Sequence, residues 1–133
     1  RKETPIPKKS QISCSGDAHQ LLASQFADLN HEEFWMLMLN RANKVTAKHL
    51  VSKGGQAGTI ADPKVIFQTA LEHHSASLIL AHNHPSGNLT PSQSDITLTQ
   101  KLVAAGKLLD IAILDHLIIG DSGFYSFADE GML

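Results

Sequence analysis

The sequence predicts an α/β domain in which a mixed β-sheet is flanked by helices. Three observations carry that expectation. Helix-period apolar segments open on clear caps, at Asp62-Pro63 and at Thr90-Pro91. Short apolar runs at 32–39, 77–81, 111–114 and 117–119 read as strands, the run at 77–81 being continuous enough for a buried central one. Helical and extended segments alternate along the chain, as layered α/β domains require.

The elements follow in order. Residues 17–29 read as a helix, with Leu21, Leu22, Phe26 and Leu29 at helical spacing and Ser15 as its cap. Residues 32–39 form a strand, 41–44 a hairpin turn and 45–51 a second strand, with Gly54, Gly55 and Gly58 marking a loop. The helix opened by Asp62 runs to about His74, with Val65, Ile66, Thr69 and Ala70 as its apolar stripe. His73 and His74 fall in its last turn, where a cation suits the negative end of the helix dipole. A polar loop at 82–88 follows the central strand. Thr90, Pro91 and Gln93 then supply a cap, a first-turn proline and a T-x-x-Q box for the next helix, which Gly106 would end. Residues 124–127 make a last, edge strand.

Composition narrows the function classes. The 133 residues suit one domain, expected at 15–133 behind a polar, proline-containing tail at 1–14. Apolar residues make up 42 %, enough for a core, and the net charge of −2 supplies no general attraction to nucleic acid. Cys14 is the sole cysteine, which excludes an internal disulfide and any zinc site needing two thiolates; it reads as a small, semi-buried residue. No apolar run approaches the roughly 18–20 residues of a membrane span, and the basic N-terminus has no apolar stretch behind it. A cytoplasmic protein with no membrane association is the expectation. The first residue is Arg rather than Met, so a piece of a longer protein is expected too.

The chemistry concentrates in residues 82–95, HNHPSGNLTPSQSD. His82 and His84 are two apart, which puts both side chains on one side of an extended backbone at the end of a buried strand. Pro85 keeps His84 extended. Asp95 lies in the first turns of the next helix, whose side chains lean back toward the loop, and Ser92 shares its helix face. Two histidines and one carboxylate make a three-ligand set, the catalytic rather than the structural arrangement for zinc.

The pattern H-x-H-P-x(6)-S-x-x-D after a hydrophobic strand resembles the JAMM (MPN-plus) metalloprotease motif. From about Asp17 to Phe127 the chain is similar to the bacterial RadC family, with further likeness in 81–87 (AHNHPSG), 114–120 (LDHLIIG) and 125–127 (YSF). The resemblance implies a JAB/MPN fold, related to cytidine deaminases, and one Zn²⁺ held by His82, His84 and Asp95. It implies that Ser92 supports the bound water or the oxyanion. It also implies a glutamate on an early strand as general acid/base. Position relative to the apolar run assigns Glu32; the adjacent Glu33 would face the other way. The chain departs from RadC relatives at Asn40, where they usually carry Asp, and at Lys64-Val65, where they often carry Arg-Glu. RadC relatives usually carry an N-terminal helix-hairpin-helix-like region as well, so the sequence is expected to be a fragment. None of these touches the ligand set.

The leading expectation is a zinc-dependent metallohydrolase, metallopeptidase-like, acting on a peptide or isopeptide amide. The rival is a non-catalytic interaction module in a DNA-repair setting, resting on the family label. A nucleoside deaminase needs a P-C-x-x-C pair that one cysteine cannot supply, and a nuclease usually needs paired metals. Asp115-His116 is read as a structural hydrogen bond at a sheet end, ahead of a pair orienting a metal ligand. His19, His31 and His49 are read as surface residues without partners.

Overall fold

The computed structural model describes residues 10–54 and 61–133. Among them the element order is α1 (Ser15–Phe26), β1 (Glu33–Leu39), β2 (Val45–Lys53), α2 (Pro63–Glu72), β3 (Ser77–Asn83), α3 (Gln93–Leu108), β4 (Ala112–Ile119) and β5 (Phe124–Ser126). The strands form one five-stranded sheet in the order β2-β1-β3-β4-β5. β1 runs antiparallel to β2 and β3, β3 runs parallel to β4, and β5 returns antiparallel at the edge. The parallel β3–β4 pair needs a crossover, and α3 provides it. The mixed sheet with helices on it is the expected α/β class.

Every residue of β1 and of β3 is buried, because both faces of the sheet are covered. Strand alternation sorts their side chains into two cores. Phe34, Met36, Met38, Leu78 and Leu80 meet Ile66, Phe67 and Ala70 of α2 and Leu102 of α3. Trp35, Leu37, Leu39, Ile79 and Ala81 meet Ala18, Leu22 and Phe26 of α1. Removing each such Leu or Phe from water contributes roughly 1.5–3 kcal/mol.

The hairpin forms where expected. Asn40 Oδ1 accepts the amides of Ala42 and Lys44, and Asn43 takes the left-handed φ of 58° that Asn tolerates. Residues 10–12 run beside this turn: Val45 N–H donates to Ser10 O, and Ile12 N–H donates to Asn43 O. Gly55 and Gly58 lie outside the described residues. No helix among the described residues is long and apolar enough to cross a membrane.

Several local expectations are corrected. Ser15 is the first residue of α1 rather than its cap, and Asp17 takes the capping role, accepting from the Ser13 and Cys14 amides. The helix ends at Phe26, and Cys14 is exposed. In α2 the Asp62 cap holds, accepting from Lys64 N–H at 2.9 Å, but the buried stripe is Ile66, Phe67 and Ala70 while Val65 faces out. His73 and His74 lie past the end of α2, His74 at φ 52°. The last helix starts two residues later than Thr90-Pro91 predicted, on a Ser92–Asp95 box. It runs through Gly106 to Leu108, because the chain turns only at Asp110, with φ 55°. Residues 111–119 give one strand rather than two.

Candidate metal centre

β3 extends through His82 and Asn83, so His82 sits on a strand rather than in a loop. That fixes its face. His82 pairs across the sheet with Phe34, and their rings stack with centroids 5.9 Å apart and planes at 4°. Two residues on, His84 returns toward the same side, where its Nδ1 donates to Asn88 O at 2.7 Å. The exposed Ser86-Gly87 corner, with Gly87 at φ 82°, turns the chain back to make that bond. Asp95, in the first turn of α3, closes the group from above.

The three side chains converge. His82 Nε2 and His84 Nε2 are 3.0 Å apart; His84 Nε2 is 3.2 Å from Asp95 Oδ2 and His82 Nε2 is 3.3 Å from Asp95 Oδ1. One ligand atom from each lies within 4.8 Å of the others. A tetrahedral zinc site with bonds of about 2.0–2.1 Å has edges of about 3.3 Å between ligand atoms. The group therefore fits a single such ion. Each imidazole has its Nδ1 engaged by protein, which leaves the two Nε2 atoms facing one another and the carboxylate.

The electrostatics match. Burial pushes the Asp95 carboxyl up, but the two imidazoles packed against it, His82 and His84, outweigh it and hold the group well below the usual carboxylate range. The bond to Asp95 raises the pKa of His84 against its own burial, and the charge on Glu32 adds to that. Asp95 is thus held as a carboxylate, the form that can ligate a cation.

Glu32 and Glu33 separate cleanly. Glu33 is buried on the α1 face, where Trp35 Nε1 donates to its Oε1 at 2.9 Å and His31 Nε2 lies 2.8 Å from its Oε2. His31 thus has a partner, contrary to expectation, as does His19, whose ring stacks on Phe124. Glu32, just ahead of β1, is half-buried and close enough to His84 for its charge to be felt there. Its backbone is pinned on both sides. Asn83 Oδ1 accepts the Glu33 amide at 2.8 Å, Asn83 Nδ2 donates to His31 O at 3.0 Å, and Gly54 N–H donates to Glu32 O at 2.8 Å. Ser92 is exposed and caps α3: its Oγ accepts the Asp95 amide at 3.1 Å, while its own amide donates to Asp95 Oδ2 at 2.8 Å.

Asp115 and His116 do not act as a pair. Asp115 accepts from Ser126 Oγ, Ala128 N–H and its neighbour's amide, which is the structural role expected of it. Burial raises its pKa. His116 is fully buried on the opposite face, its Nε2 2.8 Å from His82 Nδ1 and its Nδ1 2.6 Å from Thr99 Oγ1. The structural reading of this histidine is therefore corrected: it touches a member of the metal group directly. Burial pushes its pKa well below the usual histidine value. Asn83 and Thr99 were missed at the sequence level. Thr99 lies four residues after Asp95, on one helix face, which is the signal that could have found it.

The fold and site define an α/β domain with a His₂Asp group at the end of its central strand. The RadC-like JAB domain model matches residues 12–132. A UPF0758 protein of Flavobacterium johnsoniae is 50 % identical over 127 residues, covering 96 % of this chain and 56 % of the relative. One from Porphyromonas gingivalis is 43 % identical over 129 residues, covering 96 % and 57 %. UPF0758 protein YfjY of Escherichia coli K12 is 46 % identical over 116 residues, covering 87 % and 72 %. The chain belongs to the RadC family, and it spans a little over half the length of the first two relatives.

Proposed function

We propose that the chain is a zinc-dependent metallohydrolase, metallopeptidase-like, that cleaves an amide bond in a peptide or isopeptide substrate. One observation carries this reading: two imidazole Nε2 atoms and one carboxylate converge at single-ion distances, and three ligands leave a fourth position open. When bound, zinc supplies Lewis acidity toward the substrate carbonyl and lowers the pKa of a water to about 7.

The chain's own groups do the rest. His82, His84 and Asp95 would hold the ion. Glu32, just ahead of β1 and within electrostatic reach of His84, accepts a proton from the attacking water and returns it to the leaving amine. Ser92 Oγ accepts from the Asp95 amide and shares a hydrogen bond with Ser94 Oγ at 3.2 Å; with Ser94 as the donor there, the Ser92 hydroxyl donates to the developing oxyanion. The exposed Cys14 suits a reducing, cytoplasmic setting.

The test is elemental analysis of purified protein beside a His82→Ala/His84→Ala variant. Near-stoichiometric zinc in the wild type and none in the variant supports the reading; no metal in the zinc-supplied wild type overturns it. Glu32→Gln should keep the metal and lose roughly 10²–10⁴-fold in amide hydrolysis.

A further inference from the structure

We propose that His116 and Thr99 are positioning residues that fix which nitrogen of His82 is free to bind metal. The inference rests on the metal-binding reading above and goes beyond its ligand set. It follows from counting protons along a buried chain of hydrogen bonds. Thr99 Oγ1 lies 2.7 Å from Asp95 O and 2.6 Å from His116 Nδ1. A carbonyl only accepts, so the Thr99 hydroxyl donates its single proton to Asp95 O. Its oxygen then accepts from His116, which places the His116 proton on Nδ1.

His116 is fully buried among aromatic rings. Phe127 stacks on it with centroids 4.8 Å apart, and Phe34 meets it edge-on at 5.5 Å. A ring in that cage carries one proton rather than two, since a second would be a buried charge. Its Nε2 is then a lone pair, and the contact of 2.8 Å to His82 Nδ1 requires His82 to donate. His82 therefore carries its proton on Nδ1 and presents an unprotonated Nε2 to His84 and Asp95. The chain ends on the backbone of Asp95, so one relay orients one metal ligand and ties it to the helix turn bearing another.

Sheet register makes this possible. β3 and β4 pair Leu78 with Ile113 but Ile79 with Asp115, so Leu114 is an extra residue. The bulge reverses the alternation of β4 and turns His116, rather than Asp115, toward His82.

The test has two arms. The first is ¹⁵N–¹H correlation of the imidazole nitrogens in metal-free wild-type protein near pH 7.5. His116 and His82 are both expected as Nδ1–H tautomers; an Nε2–H tautomer at either overturns the proposal, whether or not the protein later binds zinc. The second is zinc affinity by chelator competition. His116→Ala should weaken binding roughly 10–100-fold. The near-isosteric Thr99→Val, which leaves the aromatic cage intact, should weaken it less and release the His116 tautomer. His116→Gln, with one acceptor and one donor, should recover most of the affinity. Folded variants that bind zinc like the wild type would refute the relay and leave the His82–His84–Asp95 site standing. A wild type without zinc affinity would instead refute the metal-site reading.

Discussion

Asn83 Oδ1 accepts the backbone amide of Glu33 at 2.8 Å, joining the strand that carries His82 to the residue next to Glu32. The same side chain donates to His31 O, so one amide group brackets Glu32 between two fixed points. It stands between the two histidines in sequence but faces the other side of the sheet. The His82–His84 segment and the start of β1 are thereby set relative to each other through backbone.

Replacing Asn83 with Ala should separate positioning from ligation. The Glu33 amide would lose its buried acceptor, at a cost of about 1–3 kcal/mol in unfolding free energy measured by urea titration. Zinc content should stay near wild type. A variant as stable as the parent would show that the clamp contributes nothing.

Ser92 holds two roles that a single substitution can part. Ser92→Ala removes the oxygen that accepts the Asp95 amide and should cost about 0.5–2 kcal/mol. If its hydroxyl also donates to the oxyanion, hydrolysis should fall by roughly 10²–10³-fold with metal retained. Lost stability with unchanged turnover would leave Ser92 as a cap only.

The pH dependence of stability should carry the mark of His116. Its folded-state pKa is depressed by burial, while an unfolded histidine titrates near 6.5. Above that value both states are neutral and nothing changes. Below it the unfolded chain takes a proton that the fold refuses, so stability falls on acidification, by up to about 1.4 kcal/mol per pH unit. In chelator, denaturation from pH 8 to pH 5 should show this slope in the wild type and a shallower one in His116→Gln. Equal slopes would mean that His116 takes up its proton in the fold.

Gly106 is required by packing rather than by φ. A Cβ there would stand 2.2 Å from Ile111 O, whose own amide donates back to Gly106 O. Alanine favours a helix by about 1 kcal/mol, yet the overlap with backbone should outweigh it. We expect Gly106→Ala to lower the melting temperature; a rise would mean that the α3–β4 turn yields easily.

The sequence by itself determined the α/β class, the grouping of His82, His84 and Asp95 as residues that could hold a metal, and the cap of α2. Each rests on local chemistry or short-range periodicity: apolar runs of strand length, Asp-Pro at a helix start, and two histidines at a spacing an extended backbone places on one side. That Glu32 and Glu33 differ in surroundings was also legible, because strand alternation is local. The tertiary structure decided what depended on partners distant in sequence. His31 found Glu33, Asn83 clamped the start of β1, and the Ser92–Asp95 box displaced Thr90 as the cap. Above all it decided the fate of Asp115-His116. Simple alternation from Ile113 would turn Asp115 toward His82; the bulge at Leu114 reverses this. A bulge is set by how two strands fit over packed helices, and no single segment of sequence holds both sides of that fit.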